Sequence, residues 1–288
     1  MTEPGQVDGR IARWFNRKHG EGWGTRPGDY DPEAVRRTLA QVRRLFGKGR
    51  YFDLQVTGWR NVPQAPTMIV SNHSGGTTIP DIWGFGVSWY RHFGVGRPLH
   101  LAAHDFILAT AATRRFFGRR GAVRASRRNA FAVLHDWRRD LMVMPGGDLD
   151  TWRPYTERYK VRFGERRGYA RVALRAGVAI VPVAHAGAHD TLIVLADGQR
   201  LARALRLQDL ARAHIWPVHL SLPWGLAIGP WPHIPIPTRF RYRIGRAILP
   251  PEGPVPDPPD DLVREHDARV RTAVQLLLDE LRADAAAR

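Results

Sequence analysis

Three short apolar runs, each closed by glycine or small polar residues, most constrain what this chain can fold into. They are "PTMIVSNHSGG" (66–76), "DLMVMPGG" (140–147) and "GVAIVPVAHAG" (177–187). Each is apolar at consecutive positions rather than at every second one, as in strands buried on both faces. Helical stretches such as "SRRNAFAVLHDWRRD" and "RRGYARVALRAG" lie between them. Strand and helix therefore alternate, and the expected fold is an α/β sandwich with a mixed, mostly parallel sheet flanked by helices. In such a sheet the working loops follow the carboxyl ends of the strands.

The flanking segments can be placed from local signals. A first helix is expected over 32–46, with Asp31 as cap, Pro32 in the first turn, Val35, Leu39, Val42 and Phe46 at helical spacing, and Gly47 as the stop. "RYFDLQVTGW" (50–59) alternates Phe52, Leu54 and Val56, as a half-buried strand does. Residues 249–261 hold six prolines and read as an extended linker. Beyond it, Val270, Val274, Leu277 and Leu281 mark a helix over 262–286 that packs back on the domain. The expected organisation is a basic, flexible segment 1–30, an α/β domain 31–248, the linker 249–261 and the C-terminal helix within 262–288.

Composition narrows the chemistry. There is no cysteine, which excludes a disulfide framework, a thiolate nucleophile and a Cys-ligated metal. The net charge is +17; three of the 44 basic side chains are lysines (Lys18, Lys48 and Lys160), and the other 41 are arginines. Guanidinium suits phosphates on nucleic acids, coenzymes and lipid headgroups alike. The arginine-rich "RRFFGRRGAVRASRR" (114–128) has no nucleic-acid-binding signature around it, so no nucleic-acid partner is expected. The N-terminus lacks the apolar core of a secretory signal, which points to a cytoplasmic protein.

Residues 213–238 contain no Asp, Glu, Lys or Arg, enough chain to cross a bilayer if it were helical. Pro217, Pro223, Pro230, Pro232, Pro235 and Pro237 rule that out, because each removes a backbone donor. Strands and loops are expected instead. Its Trp216, Trp224 and Trp231 would ordinarily fill a core or line a pocket, although indoles also favour a membrane–water boundary.

The sharpest constellation is "VSNHSGGTTIPD" (70–81). His73 follows a strand, Gly75 and Gly76 form a loop, and Pro80 opens a helix that sets Asp81 in its first turn. The two side chains then meet across the loop. Histidine can accept a hydroxyl proton, and a carboxylate on its other ring nitrogen fixes the tautomer and stabilises the imidazolium. The glycines let backbone N–H groups approach a substrate oxygen. His185 and His189 have metal-ligand spacing only on a helix, which Gly187 interrupts, so no metal site is expected.

These residues resemble the first block of the glycerolipid acyltransferase superfamily. "GAVRASR" (121–127) is similar to the second block, "MPGG" (144–147) stands where the family has Phe-Pro-Glu-Gly, and "IVPVAHAG" (180–187) resembles the fourth. The resemblance spans roughly 51–248. It implies an acyltransferase-like sandwich in which an acceptor hydroxyl attacks an acyl thioester directly, without an acyl-enzyme and without a cofactor. His73 would be the base and Asp81 its orienting partner. Ser74, Gly75, Gly76, Pro145, Gly146, Gly147 and Asp148 would form substrate-site loops, Gly121, Arg124 and Arg127 the acceptor or phosphate side, and Val181 and Pro182 the acyl-donor side.

The implied partners are acyl-CoA or acyl carrier protein, a lipid acceptor and an anionic membrane surface. Attachment would be peripheral, on the inner face, through arginine and tryptophan. Two departures, seven residues between His73 and Asp81 where the family commonly has four and Gly146 in place of glutamate, favour a bacterial branch similar to diacylglycerol and monoacylglycerol acyltransferases. Asp148 or Asp150 is then a candidate substitute carboxylate. The alternative is a non-catalytic lipid-binding protein on the same scaffold.

Overall fold

The computed structural model describes residues 27–287 except 106, 208, 210–213 and 252. Most of the expected N-terminal segment therefore lies outside the described residues. The strands are β1 (Phe46–Gly47), β2 (Phe52–Thr57), β3 (Met68–Ser71), β4 (Leu99–Ala103), β5 (Ala122–Arg124), β6 (Asp140–Val143), β7 (Ile180–Ala186), β8 (Ile193–Ala196), β9 (Val218–Ser221), β10 (Gly225–Ile228) and β11 (Thr238–Ile244). Eight of them form one sheet in the order β1-β2-β11-β7-β3-β6-β4-β5. Every neighbouring pair is parallel except β11 and β7, so the sheet is mixed and mostly parallel.

Consecutive apolar residues on β3 serve opposite faces. Met68 and Val70 join Leu141 and Ile180 under the helices Gly168–Ala176 and Asp260–Ala286. Ile69 joins Met142, Val181 and Val183 under the helix Pro80–Phe93, which contributes Phe85, Val87 and Trp89. Each such side chain stabilises the fold by about 1.5–3 kcal/mol when fully buried. Because β7, β3, β6, β4 and β5 run the same way, the loops that follow them all emerge at one edge of the sheet.

The first helix stops earlier than its periodicity suggests. It spans Pro32–Val42, capped by Asp31 through the Glu33 and Ala34 N–H groups. Phe46 leaves the helical pattern to pair with Phe52 in β2, where the two rings lie 4.8 Å apart. A buried sheet contact outcompetes one more turn of helix. The proline-rich segment lies along Gly168–Ala176: Val255 N–H donates to Leu174, and Arg171 donates to Pro258. The C-terminal helix begins at Asp260.

Residues 213–238 supply two strands of a second sheet, β10-β9-β8, antiparallel throughout. The core or pocket role ordinarily expected of its tryptophans does not hold for Trp224 and Trp231, each 54% exposed. Among the described residues, no helix is long and apolar enough to cross a membrane.

Candidate active site

Three strands that are neighbours in space but distant in sequence build the site. β3 leads into Asn72-His73, β6 leads into the loop 144–147, and β7 carries His185 one residue before its end. Asn72 ties two of these ends together, accepting from His185 N–H and donating to the His185 carbonyl, both at 2.9 Å. After His73, Gly75 and Gly76 take φ of 96° and 66°. A Cβ on Gly75 would stand 2.6 Å from Pro80, so the turn back to the helix requires glycine.

The turn returns Asp81 to His73. His73 Nδ1 lies 2.6 Å from Asp81 Oδ2, and the histidine side chain keeps 12% exposure over a carboxylate that has none. Asp81 also accepts from Ser74 N–H at 2.9 Å and Ile82 N–H at 2.8 Å. Burial alone would push this carboxyl up; the facing His73 and His185 and the Ser74 N–H together hold it below the usual carboxylate range. An ionised carboxylate only accepts, so Nδ1 carries the proton and Nε2 is left to take one from a substrate. Tyr242 fixes the start of the helix by donating to the Asp81 carbonyl at 2.7 Å, and Gly84 allows that approach because a Cβ there would be 2.5 Å from the phenol oxygen.

Two further groups complete the cluster. Ser74 Oγ and His185 Nε2 share a hydrogen bond of 2.7 Å, and the same His185 nitrogen is 3.5 Å from Asp81 Oδ2. His73 N–H donates to Asp150 Oδ2 at 2.6 Å, while the other Asp150 oxygen pairs with fully buried Arg153 and accepts from Arg162 N–H at 3.1 Å. Burial pushes the Asp150 carboxyl up, against the pull of Arg153 and these N–H groups.

Asp150 also explains Gly146. A Cβ at 146 would be 2.3 Å from the Asp150 Cβ and 2.5 Å from the Arg162 carbonyl, so no side chain fits there. Asp150 is itself wholly buried and underpins the His73 backbone instead of facing a substrate. Asp148 is engaged as well, with Arg166 at 2.7 Å and His214 N–H at 2.6 Å.

The remaining sequence-derived positions are distributed around this centre. Arg166 also binds the Gly146 carbonyl at 2.7 Å and reaches that of Pro145 at 3.4 Å, and it fills the space beside Gly147, whose φ is 50°. Gly121, at φ 93°, passes so close to the Leu99 carbonyl that a Cβ would lie 2.8 Å from it. Arg124 is buried and directs Nε to Asp105 at 2.7 Å. Arg127 opens the helix Arg127–Phe131 and lies against Gly168. Val181 belongs to the core, and Pro182 pairs in register with Val70. Sequence reasoning considered His185 only as a metal ligand and missed its contact with Ser74; its position at a strand end beside a small-residue loop was the available signal.

Buried histidines give the fold an acid-sensitive element. Burial pushes His185, His100 and His233 down to about 4 and His189 well below its ordinary value. In the unfolded chain imidazoles bind protons below about pH 6.5, whereas His185, His100 and His233 in the folded protein resist until about pH 4. Their effect is therefore absent above that window and destabilising within it. Each should cost about 1.4 kcal/mol per pH unit between those limits. Urea unfolding followed across pH checks this; a stability unchanged down to pH 4 would mean that the imidazoles are protonated inside the fold.

Residues 53–186 match the Acyltransferase family model. An uncharacterized protein of Mycobacterium tuberculosis is 26% identical over 255 residues, covering 88% of this chain and 68% of that one. A Gallus gallus protein described as a "DGAT1/2-independent enzyme synthesizing storage lipids" is 24% identical over 233 residues, covering 81% of this chain and 61% of its own. Among solved structures, the 1-acyl-sn-glycerophosphate acyltransferase PlsC of Thermotoga maritima has a TM-score of 0.48 at 16% identity, covering 88% of this chain and 78% of that one.

Proposed function

We propose that this protein is an acyltransferase of the glycerolipid acyltransferase superfamily, a reading that the Acyltransferase family match over residues 53–186 supports, and that it moves a long acyl chain from acyl-CoA or acyl carrier protein straight to a lipid hydroxyl. The observation that carries this reading is the 2.6 Å bond between His73 Nδ1 and buried Asp81. It leaves Nε2 as the base. The acceptor O–H gives its proton to Nε2 as its oxygen bonds to the thioester carbonyl. Backbone N–H groups of the Gly75-Gly76 loop are suited to the resulting oxyanion. Collapse of the intermediate breaks the C–S bond, and the leaving thiolate recovers the proton from His73. Asp81 stabilises the imidazolium in between.

An apolar cavity of about 100 Å³ along the helix Pro80–Phe93 is suited to the start of the acyl chain; Ile79, Ile82, Gly86, Leu101, Phe117 and Met142 bound it. Arg127, with the Gly121 turn, is assigned to the acceptor or phosphate side. Arg124 supports that side from within through Asp105. The reaction takes place at the cytoplasmic face of a membrane, to which the protein binds peripherally through arginine and tryptophan.

The test is transfer of labelled acyl groups of graded length to lysophospholipid, monoacylglycerol, diacylglycerol and glycolipid acceptors, read by lipid separation. A labelled product identifies the acceptor; no product with any acceptor would remove the proposal. Gly86→Leu belongs in the same experiment, because a Cβ there meets nothing within 4 Å and the added side chain enters the cavity. It should shift preference toward shorter chains; an unchanged length profile would place the acyl chain elsewhere.

A further inference from the structure

The second sheet has its polarity reversed. On β9, His219 and Ser221 point inward and are buried, while Leu220 points outward. On β10, Ala227 is inward, while Leu226 and Ile228 are outward at 64% and 55% exposure. On β8, Val194 is inward and Ile193 and Leu195 are outward. The register aligns Ile193, Leu220 and Leu226 in one row across all three strands. An antiparallel sheet with one face in water ordinarily puts its polar residues on that face. Contiguous exposed apolar surface marks a contact with something other than water.

We infer that this outer face is a membrane-docking surface whose partner is a phospholipid bilayer with anionic headgroups, and that it delivers lipid substrate to His73. The inference rests on the acyltransferase reading for its substrate. Its placement rests on four observations.

First, chain 214–238 carries no Asp, Glu, Lys or Arg, so insertion to the depth of the acyl boundary desolvates no formal charge. Second, the exposed indoles already have their donors satisfied: Trp224 Nε1–H donates to Pro232 at 2.6 Å and Trp231 Nε1–H to Ile228 at 2.9 Å. Rings arranged in this way enter an apolar phase without stranding a polar group. Third, the helix Gln199–Ala204, which follows β8, exposes Leu201 in company with Arg200 and Arg203, and Leu205 and Arg206 come directly after it. This combination of apolar side chains and guanidinium is suited to an anionic interface.

Fourth, the face shares a wall with the site. Thr77 donates to the Pro230 carbonyl at 2.9 Å, and Thr78 Oγ1 is 3.1 Å from His233 Nε2. Trp152 packs at 47° to His219 on the inner side of the sheet, with centroids 5.1 Å apart. The same ring is 3.0 Å from where a Cβ on Gly76 would be. The loop after His73 is therefore hydrogen-bonded to the segment that follows β10, the strand carrying Leu226 and Ile228.

The experiment is co-sedimentation of the full chain with vesicles of phosphatidylcholine and phosphatidylglycerol in equal parts, comparing wild type with Leu226→Glu/Ile228→Glu. Both positions are exposed on an edge strand, so the charges are accommodated in water. The expected result is at least about a tenfold loss of vesicle partitioning, persisting at high salt where the arginine contribution is screened. Tryptophan quenching by brominated phospholipids should show Trp224 and Trp231 accounting for the signal, which falls in Trp224→Phe/Trp231→Phe. Unchanged partitioning, or no quenching, would overturn the inference. So would a lipid-free dimer that the glutamates convert to monomer, since the face would then be covered by a second copy. Vesicle binding is read without turnover, so failure of the catalytic reading remains separately visible in the acyl-transfer assay.

Discussion

Replacing His73 by alanine should lower acyl transfer at least about 10²–10⁴-fold while leaving the protein folded. The side chain stands at the rim of the site, and its loss leaves Asp81 still bound by the Ser74 and Ile82 N–H groups. The remaining site can still hold both substrates, but nothing there removes the hydroxyl proton. Asp81→Asn keeps the shape and removes the charge that selects the Nδ1–H tautomer, so it should also lose most turnover. Turnover by single-turnover kinetics and folding by circular dichroism decide the matter. Wild-type rates in His73→Ala would dismiss the mechanism.

Asp150→Asn should be the more damaging change to stability. Asp150 and Arg153 are fully buried against each other, and the substitution leaves a guanidinium without its counter-charge in the interior. Breaking such a pair costs about 3–5 kcal/mol, whereas removing both charges together is often close to neutral. Asp150→Asn/Arg153→Met should therefore recover part of the loss, because no buried charge is then left unpaired; the rest persists because the amide has one carbonyl for the two facing N–H groups of His73 and Arg162. Urea midpoints of the wild type, the single variant and the double variant provide the test. Equal midpoints for the wild type and the single variant would show that the pair carries no net stability.

The two experiments concern parts of the site that were not equally readable in the sequence. His73, the paired glycines and Asp81 lie within nine consecutive residues, so strand end, turn and helix start can all be inferred from local chemistry. Their meeting follows from that short loop. Asp150 is 77 positions from His73, and His185 is 111 from Ser74. Nothing local specifies either contact. Asp150 could be considered only as a stand-in carboxylate for the glutamate absent at 146, whereas the fold buries it beneath the His73 amide.

The same division holds for the fold. Apolar runs and intervening amphipathic stretches were sufficient for an α/β sandwich with a mixed, mostly parallel sheet, because burial on both faces imposes a pattern that each strand carries by itself. Strand order has no such local signature. It is the placement of β3 between β6 and β7 that brings three separate loops to one point. Phe46 obeyed a partner in β2 instead of its helical period, and Trp224, in the turn between β9 and β10, and Trp231, just beyond β10, came to lie outside, while Trp152, Leu192, Val194 and Ile215 form the local core. By itself the sequence determined the elements and the histidine–aspartate pair, which depend on neighbours along the chain. Only the tertiary structure decided which distant carboxylate, histidine and apolar face surround them, since those contacts are selected by packing among all the strands at once.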